Sequence, residues 1–264
     1  MSAILNSGLI LLLRYNCITS ACMRNLTATS LRCRSGQSPS NSHEAGVRQK
    51  RSNSMPIKMH LLNSSGVFDN HVKAITESFQ DSIRAITKIL QVDNVDVVIQ
   101  HSVHVIPETG MVGYSPTADR AFLSIDPENK NLSKSFGVEF LATLGHELHH
   151  CSRHNGPGYG KTLKEALISE GLACHFETEL RDGAVPFYAS TLSRNECREF
   201  FKRMSPELEI EKYNHNAWFF GSKKLKIPKH CGYSVGYNLV NNYIAKNNIA
   251  ASKLWSTSAV EILS

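Results

Sequence analysis

Leu144-Gly145-His146-Glu147-Leu148-His149-His150-Cys151 is the stretch on which the fold of this chain turns, because it lies in a run with helical spacing. At about 100° per residue, His146 and His150 fall roughly 40° apart, so both imidazoles project from one face, one turn above the other. Phe140, Leu141, Leu144, Leu148 and Cys151 cluster at roughly 120° to 220° from His146 and predict an apolar back to the helix. Glu147, about 100° from His146, stands beside the histidine face. From there a carboxylate reaches a metal-held water without itself binding the metal.

His-Glu-x-x-His on a helix is a zinc-protease signature. A catalytic zinc takes three protein ligands and keeps a fourth position open, so a third ligand is expected downstream. The next helical run, Thr162 to Glu177, supplies it. Glu170 belongs to the series Leu163, Leu167, Glu170, Cys174, Glu177, and a carboxylate that interrupts an apolar stripe needs a cationic partner. Glu165 competes for the role, but it sits near the helix start, where the dipole favours an acid in any case. Gly171 is read as the point where this helix approaches the His146 helix. The longer pattern with a third histidine would need glycine at Arg153 and histidine at Gly156, and neither is there. His154, one turn beyond His150, is read as a hydrated histidine at the helix end.

Three segments together, His146-Glu147-Leu148-His149-His150, Ala166-Leu167-Ile168-Ser169-Glu170-Gly171-Leu172-Ala173 and Gly232-Tyr233-Ser234-Val235-Gly236-Tyr237, resemble a bacterial family of predicted zinc-dependent proteases, domain of unknown function 2268. The similarity runs from about Leu61 to the C-terminus. It implies an α+β, zincin-like fold: a small mixed sheet, then a helical region carrying the His-Glu helix and the third-ligand helix. The Glu-Gly spacing is similar to that of thermolysin-type (gluzincin) proteases, whose third ligand is a glutamate on the following helix, which supports Glu170. Cys174 stands where such sites usually carry the acid that orients a zinc histidine, and this leaves the partner of His146 open. The zincin resemblance also implies an edge strand above the zinc helix that pairs with extended substrate, sought here between Val112 and Ile125.

Residues 1–54 differ in kind from the rest. They hold seven Lys/Arg and one acid, Glu44, while from Met55 onward bases and acids balance at 22 each. The domain of residues 55–264 is therefore neutral, which argues against nucleic-acid binding. The basic, Ser-rich extension is expected to be disordered. Its run Gly8 to Leu13 is too short to span a bilayer. It also lacks a preceding Lys or Arg, so it makes a poor secretion signal, although the absence of acids before Glu44 fits an organellar transit peptide. The abrupt change in composition favours an upstream extension before a start at Met55. Cys151, Cys174, Cys197 and Cys231 show no paired spacing, which argues against a disulfide framework and for a reducing, cytoplasmic setting.

Elsewhere, Val72, Ile75, Phe79, Ile83, Ile86 and Leu90 predict a scaffold helix capped by Asp69 or Asn70. Val95–Gln100, Gly110–Ser115 and Ala121–Asp126 predict strands, with Val103–Ile106 extending the sheet. His101 and His104 are read as sheet-surface residues. Arg194–Arg203 and Pro206–Tyr213 predict helices, Asn214–Gly221 and Lys229–Tyr233 an irregular aromatic segment, and Ser234 onward a last helix. A peptidase gains from a neutral donor aimed at the tetrahedral oxyanion. Tyr233, Tyr237, His215 and His230 are available, and Tyr233, at the loop-to-helix junction, is the choice. The expected activity is zinc-dependent hydrolysis of a peptide or protein substrate, with His146, His150 and Glu170 on the metal and Glu147 as base. A zincin-fold binding module and a zinc amidase are the alternatives, and an intact Glu147 weighs against the former.

Overall fold

Val97 and Ile99 are fully buried while Asp96, Val98 and Gln100, which alternate with them, are not, the period of two that makes this segment a strand. It is β2 (Asp96–His101) of a four-stranded sheet with β1 (Lys58–Leu61), β3 (Met111–Thr117) and β4 (Arg120–Ile125). In this computed structural model residues 57–264 are described; the extension read in residues 1–54 and its boundary at Met55 lie outside them. The strand order is β1-β2-β4-β3, with β1 and β4 parallel to β2 and β3 antiparallel to β4. The β3–β4 hairpin places β3 at an edge, within the span where an edge strand was sought. β1 lies upstream of Leu61 and was not anticipated. Val103–Ile106 does not extend the sheet. The ladder ends where Ser102 N–H donates to the Ile125 carbonyl, only an isolated bridge joins Ile106 to Met111, and Pro107 then has no N–H to offer.

Seven α-helices complete the mixed α+β architecture among the described residues: α1 (Val72–Ile89), α2 (Phe136–His154), α3 (Leu163–Leu180), α4 (Arg194–Met204), α5 (His215–Phe220), α6 (Cys231–Asn247) and α7 (Ala259–Ile262). α1 crosses between the parallel strands β1 and β2 and buries Ile75, Phe79 and Ile86. Neither Asp69 nor Asn70 caps it. His71 takes the N-cap position without a side-chain bond, and Asp69 instead accepts from the Asn63 amide.

α2 has no solvent face over its C-terminal half: every residue from Leu144 to Arg153 is buried, polar ones included. An apolar back with a freer histidine face was expected. The sheet, α1 and α3 all pack on this helix, so both faces are covered. The close approach ascribed to Gly171 is made elsewhere. A Cβ on Gly171 would fall 2.4 Å from the Gly236 carbonyl oxygen, so α3 crosses α6 there, whereas α2 meets α3 at Gly145, against Leu180.

Pro206–Tyr213 contains one 3₁₀ turn, Ser205–Glu207, rather than a helix, and the aromatic segment after it is ordered as α5, capped by Asn214 onto the Ala217 N–H. α6 begins at Cys231, three residues earlier than read. No helix among the described residues is long and apolar enough to cross a membrane.

Candidate metal centre

α2 presents His146 and His150 one turn apart, and α3, crossing behind, brings Glu170 to them. His146 Nε2 lies 3.0 Å from His150 Nε2 and 3.1 Å from Glu170 Oε2, and His150 Nε2 lies 3.6 Å from the same oxygen. All three residues are 5–8% exposed. His146 Nδ1 sits 2.7 Å from Glu177 Oε1. A carboxylate only accepts, so that nitrogen carries a proton, and it leaves Nε2 as the atom that faces His150 and Glu170. The tetrahedral edge for ligands about 2.0–2.1 Å from zinc is about 3.3 Å, so the three separations suit one such ion. A second group able to hold a metal, His146, Cys174 and Glu177, reuses His146, and Glu177 Oε1 there also accepts from the Tyr188 hydroxyl.

The electrostatics ask for positive charge at this point. Burial works against a charged His146, yet its hydrogen bonds to Glu170 and Glu177 outweigh burial and hold it well above the usual imidazole range. Burial likewise raises Glu170, but His150 and His146 outweigh it and hold that carboxyl well below the ordinary range. At His150 burial wins over Glu170 and lowers the imidazole.

Glu147 lies beside the triad, 5% exposed, under the edge strand. A Cβ on Gly113 of β3 would fall 2.3 Å from Glu147 Oε1 and 2.4 Å from its Cγ, so the strand passes over this side chain only because residue 113 has none. Ser115 Oγ donates to the Glu147 carbonyl at 2.9 Å, and Cys151 Sγ points at Ser115 Oγ and the Arg120 carbonyl, on the sheet side. Burial pushes the Glu147 carboxyl up to about 7, against the pull of the His146 charge. That places a proton acceptor near neutrality.

The partner of His146 is Glu177, seven residues after Glu170 and so on the same face of α3, one turn beyond Cys174. Arg181 steadies it: Nε lies 3.6 Å from Glu177 Oε2, and the guanidinium makes a two-point contact with Glu139 of α2 at 2.6 and 2.9 Å. Glu165 is occupied otherwise, in a capping box with Thr162 at the start of α3. His154 is half-buried rather than hydrated, its Nε2 3.3 Å from the Ser115 carbonyl.

Tyr233 lies in the first turn of α6, not before it, with its ring 5.1 Å from those of both Tyr188 and Phe219. Burial, reinforced by Glu170, Cys174 and Glu147, holds its hydroxyl well above the usual range, so it stays an O–H donor. Tyr237 is engaged elsewhere, stacked on His175 with its hydroxyl 3.3 Å from Thr178. His215 stacks on Phe219 and meets the Tyr213 hydroxyl at 3.0 Å. His230 takes a left-handed backbone, φ 65°, at the α6 N-cap, with a buried Nδ1 that has no partner. His101 and His104 lie exposed and away from this cluster.

Two residues of the surroundings carried no sequence signal. Tyr159, in the loop between α2 and α3, donates from its hydroxyl to Glu170 Oε1 at 2.8 Å, and Tyr188 reaches Glu177 from a 3₁₀ turn, Phe187–Ala189. Cys151, Cys174, Cys197 and Cys231 are all free and buried.

No curated protein and no solved structure matches the chain. A family model described as "Predicted Zn-dependent protease (DUF2268)" matches residues 73–264, well over half of the sequence and all of the segments that form this centre. Its metal is zinc, the ion that the two imidazoles and one carboxylate suit. The chain belongs to this family of predicted Zn-dependent proteases.

Proposed function

We propose that the protein is a zinc peptidase of zincin-like, gluzincin type. Its metal ligands are His146 Nε2, His150 Nε2 and Glu170 Oε2, and Glu147 is the general base. The observation that carries the reading is the convergence of these three lone-pair donors within 3.0–3.6 Å, next to a buried carboxyl pushed up to about 7. Zinc held there supplies Lewis acidity, acidifying water and polarising the scissile carbonyl.

The chain's own groups do the remainder. Glu147 takes the proton from the attacking water and passes it to the leaving amine, which suits an acceptor near neutrality. Gly113 and its neighbours on β3 form the outer edge of the sheet directly above Glu147, where an extended peptide adds as a further strand through backbone hydrogen bonds. Tyr233 donates to the developing oxyanion. Glu177 fixes the tautomer and ring orientation of His146.

Glu147→Gln tests the assignment. The variant should keep full zinc and the wild-type melting temperature while losing roughly 10²- to 10⁴-fold in turnover of a peptide selected from an unbiased library. Loss of zinc in Glu147→Gln would make that residue structural. Full turnover would place the chemistry elsewhere.

A further inference from the structure

We propose that Tyr159 is a positioning residue that decides which oxygen of Glu170 meets the two histidines. The proposal rests on the reading of His146, His150 and Glu170 as the zinc ligands. Oε1 of Glu170 accepts from the Tyr159 hydroxyl at 2.8 Å, and only Oε2 turns to the imidazoles, at 3.1 and 3.6 Å. A free carboxylate can chelate through both oxygens. Engaging one of them removes that option and preserves a three-ligand site with an open position.

The tyrosine is itself held from both ends. Its ring stands edge-on to His150, centroids 5.5 Å apart. Its carbonyl accepts from Ser169 Oγ at 2.7 Å, and Ser169 Oγ accepts from Arg153 Nε at 2.8 Å. Arg153, 1% exposed, spends Nη1 on the carbonyls of Trp255 and Thr257. The guanidinium therefore ties the chain's last segment to the loop that carries Tyr159. Ser169 directly precedes Glu170 and Arg153 lies three residues after His150 on the same helix, so one hydrogen-bonded chain locks the loop against both ligand helices. The loop reaches this position through left-handed glycines on either side, Gly158 at φ 79° and Gly160 at φ 98°. A Cβ on Gly160 would fall 2.1 Å from that of Glu165.

The test uses metal-free full-length protein as wild type, Tyr159→Phe and Ser169→Ala. Zinc is titrated against a chromophoric chelator, and the visible spectrum of cobalt(II) placed in the site is recorded for each protein. Tyr159→Phe keeps the ring against His150. It should weaken zinc binding 10- to 100-fold, the usual effect of losing a group that orients a ligand. Its cobalt absorption should weaken toward a five-coordinate spectrum as the freed Oε1 joins the metal, a change that a loss of packing alone would not produce. Ser169→Ala, which leaves the Tyr159 hydroxyl in place but removes the Oγ that anchors its loop, should move both readouts the same way by less, and it decides the matter if Tyr159→Phe does not fold. Wild-type affinity with an unaltered cobalt spectrum in the variants overturns the role of Tyr159 alone. A wild-type protein that binds no zinc overturns it together with the ligand assignment.

Discussion

Gly113→Ala puts one methyl group on the edge strand where it passes Glu147. That methyl carbon would sit 2.4 Å from Glu147 Cγ and 2.3 Å from Oε1, whereas carbon atoms in contact need about 3.5 Å. About 1 Å must be found. Glu147 is 5% exposed and β3 is held to β4 through the Val112–Ser124, Gly113–Leu123 and Tyr114–Phe122 pairs, so the carboxylate moves rather than the strand. A displacement of that size in a reacting group costs about 10²-fold in rate, equivalent to about 2.7 kcal/mol of barrier, and the overpacking costs about 1–3 kcal/mol of stability. The three atoms nearest the new methyl group all belong to Glu147 and none to His146, His150 or Glu170, so zinc content should not change. The assay is turnover of a cleaved peptide, with zinc content and urea unfolding measured in parallel. Turnover within twofold of wild type, in a folded and zinc-loaded variant, would refute the placement of Glu147 under β3 as the basis of its action.

Glu177→Gln keeps an oxygen near His146 Nδ1 but removes the charge, and zinc affinity should fall about 10- to 100-fold by competitive titration; a change below threefold would deny it the orienting role. His175 should make stability fall with acid. Its ring is 6% exposed and stacked on Tyr237 at 3.8 Å, and burial holds its pKa down to about 4. The unfolded imidazole titrates near 6.5, so between these values the unfolded chain binds the extra proton and stability is lost as pH drops. From pH 7.5 to 5 this one group removes roughly 2 kcal/mol of unfolding free energy, and His175→Asn should flatten the urea-derived slope by that amount. An unchanged slope would assign the acid sensitivity to other groups.

Much of this centre was legible without coordinates because helix pitch is local. An i, i+4 spacing puts His146 and His150 on one face whatever surrounds them, and Glu147 follows from the same pitch. Glu177 falls on the Glu170 face by the same rule. Its role went unread because the expected position, one turn earlier, holds Cys174. Glu165 could be set aside from its place near the helix start, where the structure puts it in a cap. The helical spacing from Val72 and the strand alternation before the His-Glu helix were also visible.

The rest depends on distant parts of the chain meeting. Nothing periodic links Gly113 to Glu147, or Tyr159 and Tyr188 to the carboxylates they hold; each pairing follows from how α2, α3 and the sheet pack. The order β1-β2-β4-β3, which leaves β3 at the edge above Glu147, is a property of strand pairing rather than of any strand's residues. Burial acts the same way: α2 reads as amphipathic, yet it is covered on both faces. Sequence by itself placed His146 and His150 on one helical face and Glu170 on the helix that follows, because the helical repeat is set within a few residues. Tertiary structure alone decided the surroundings that orient and charge them, because those groups meet across long separations in the chain and in an environment that only packing creates.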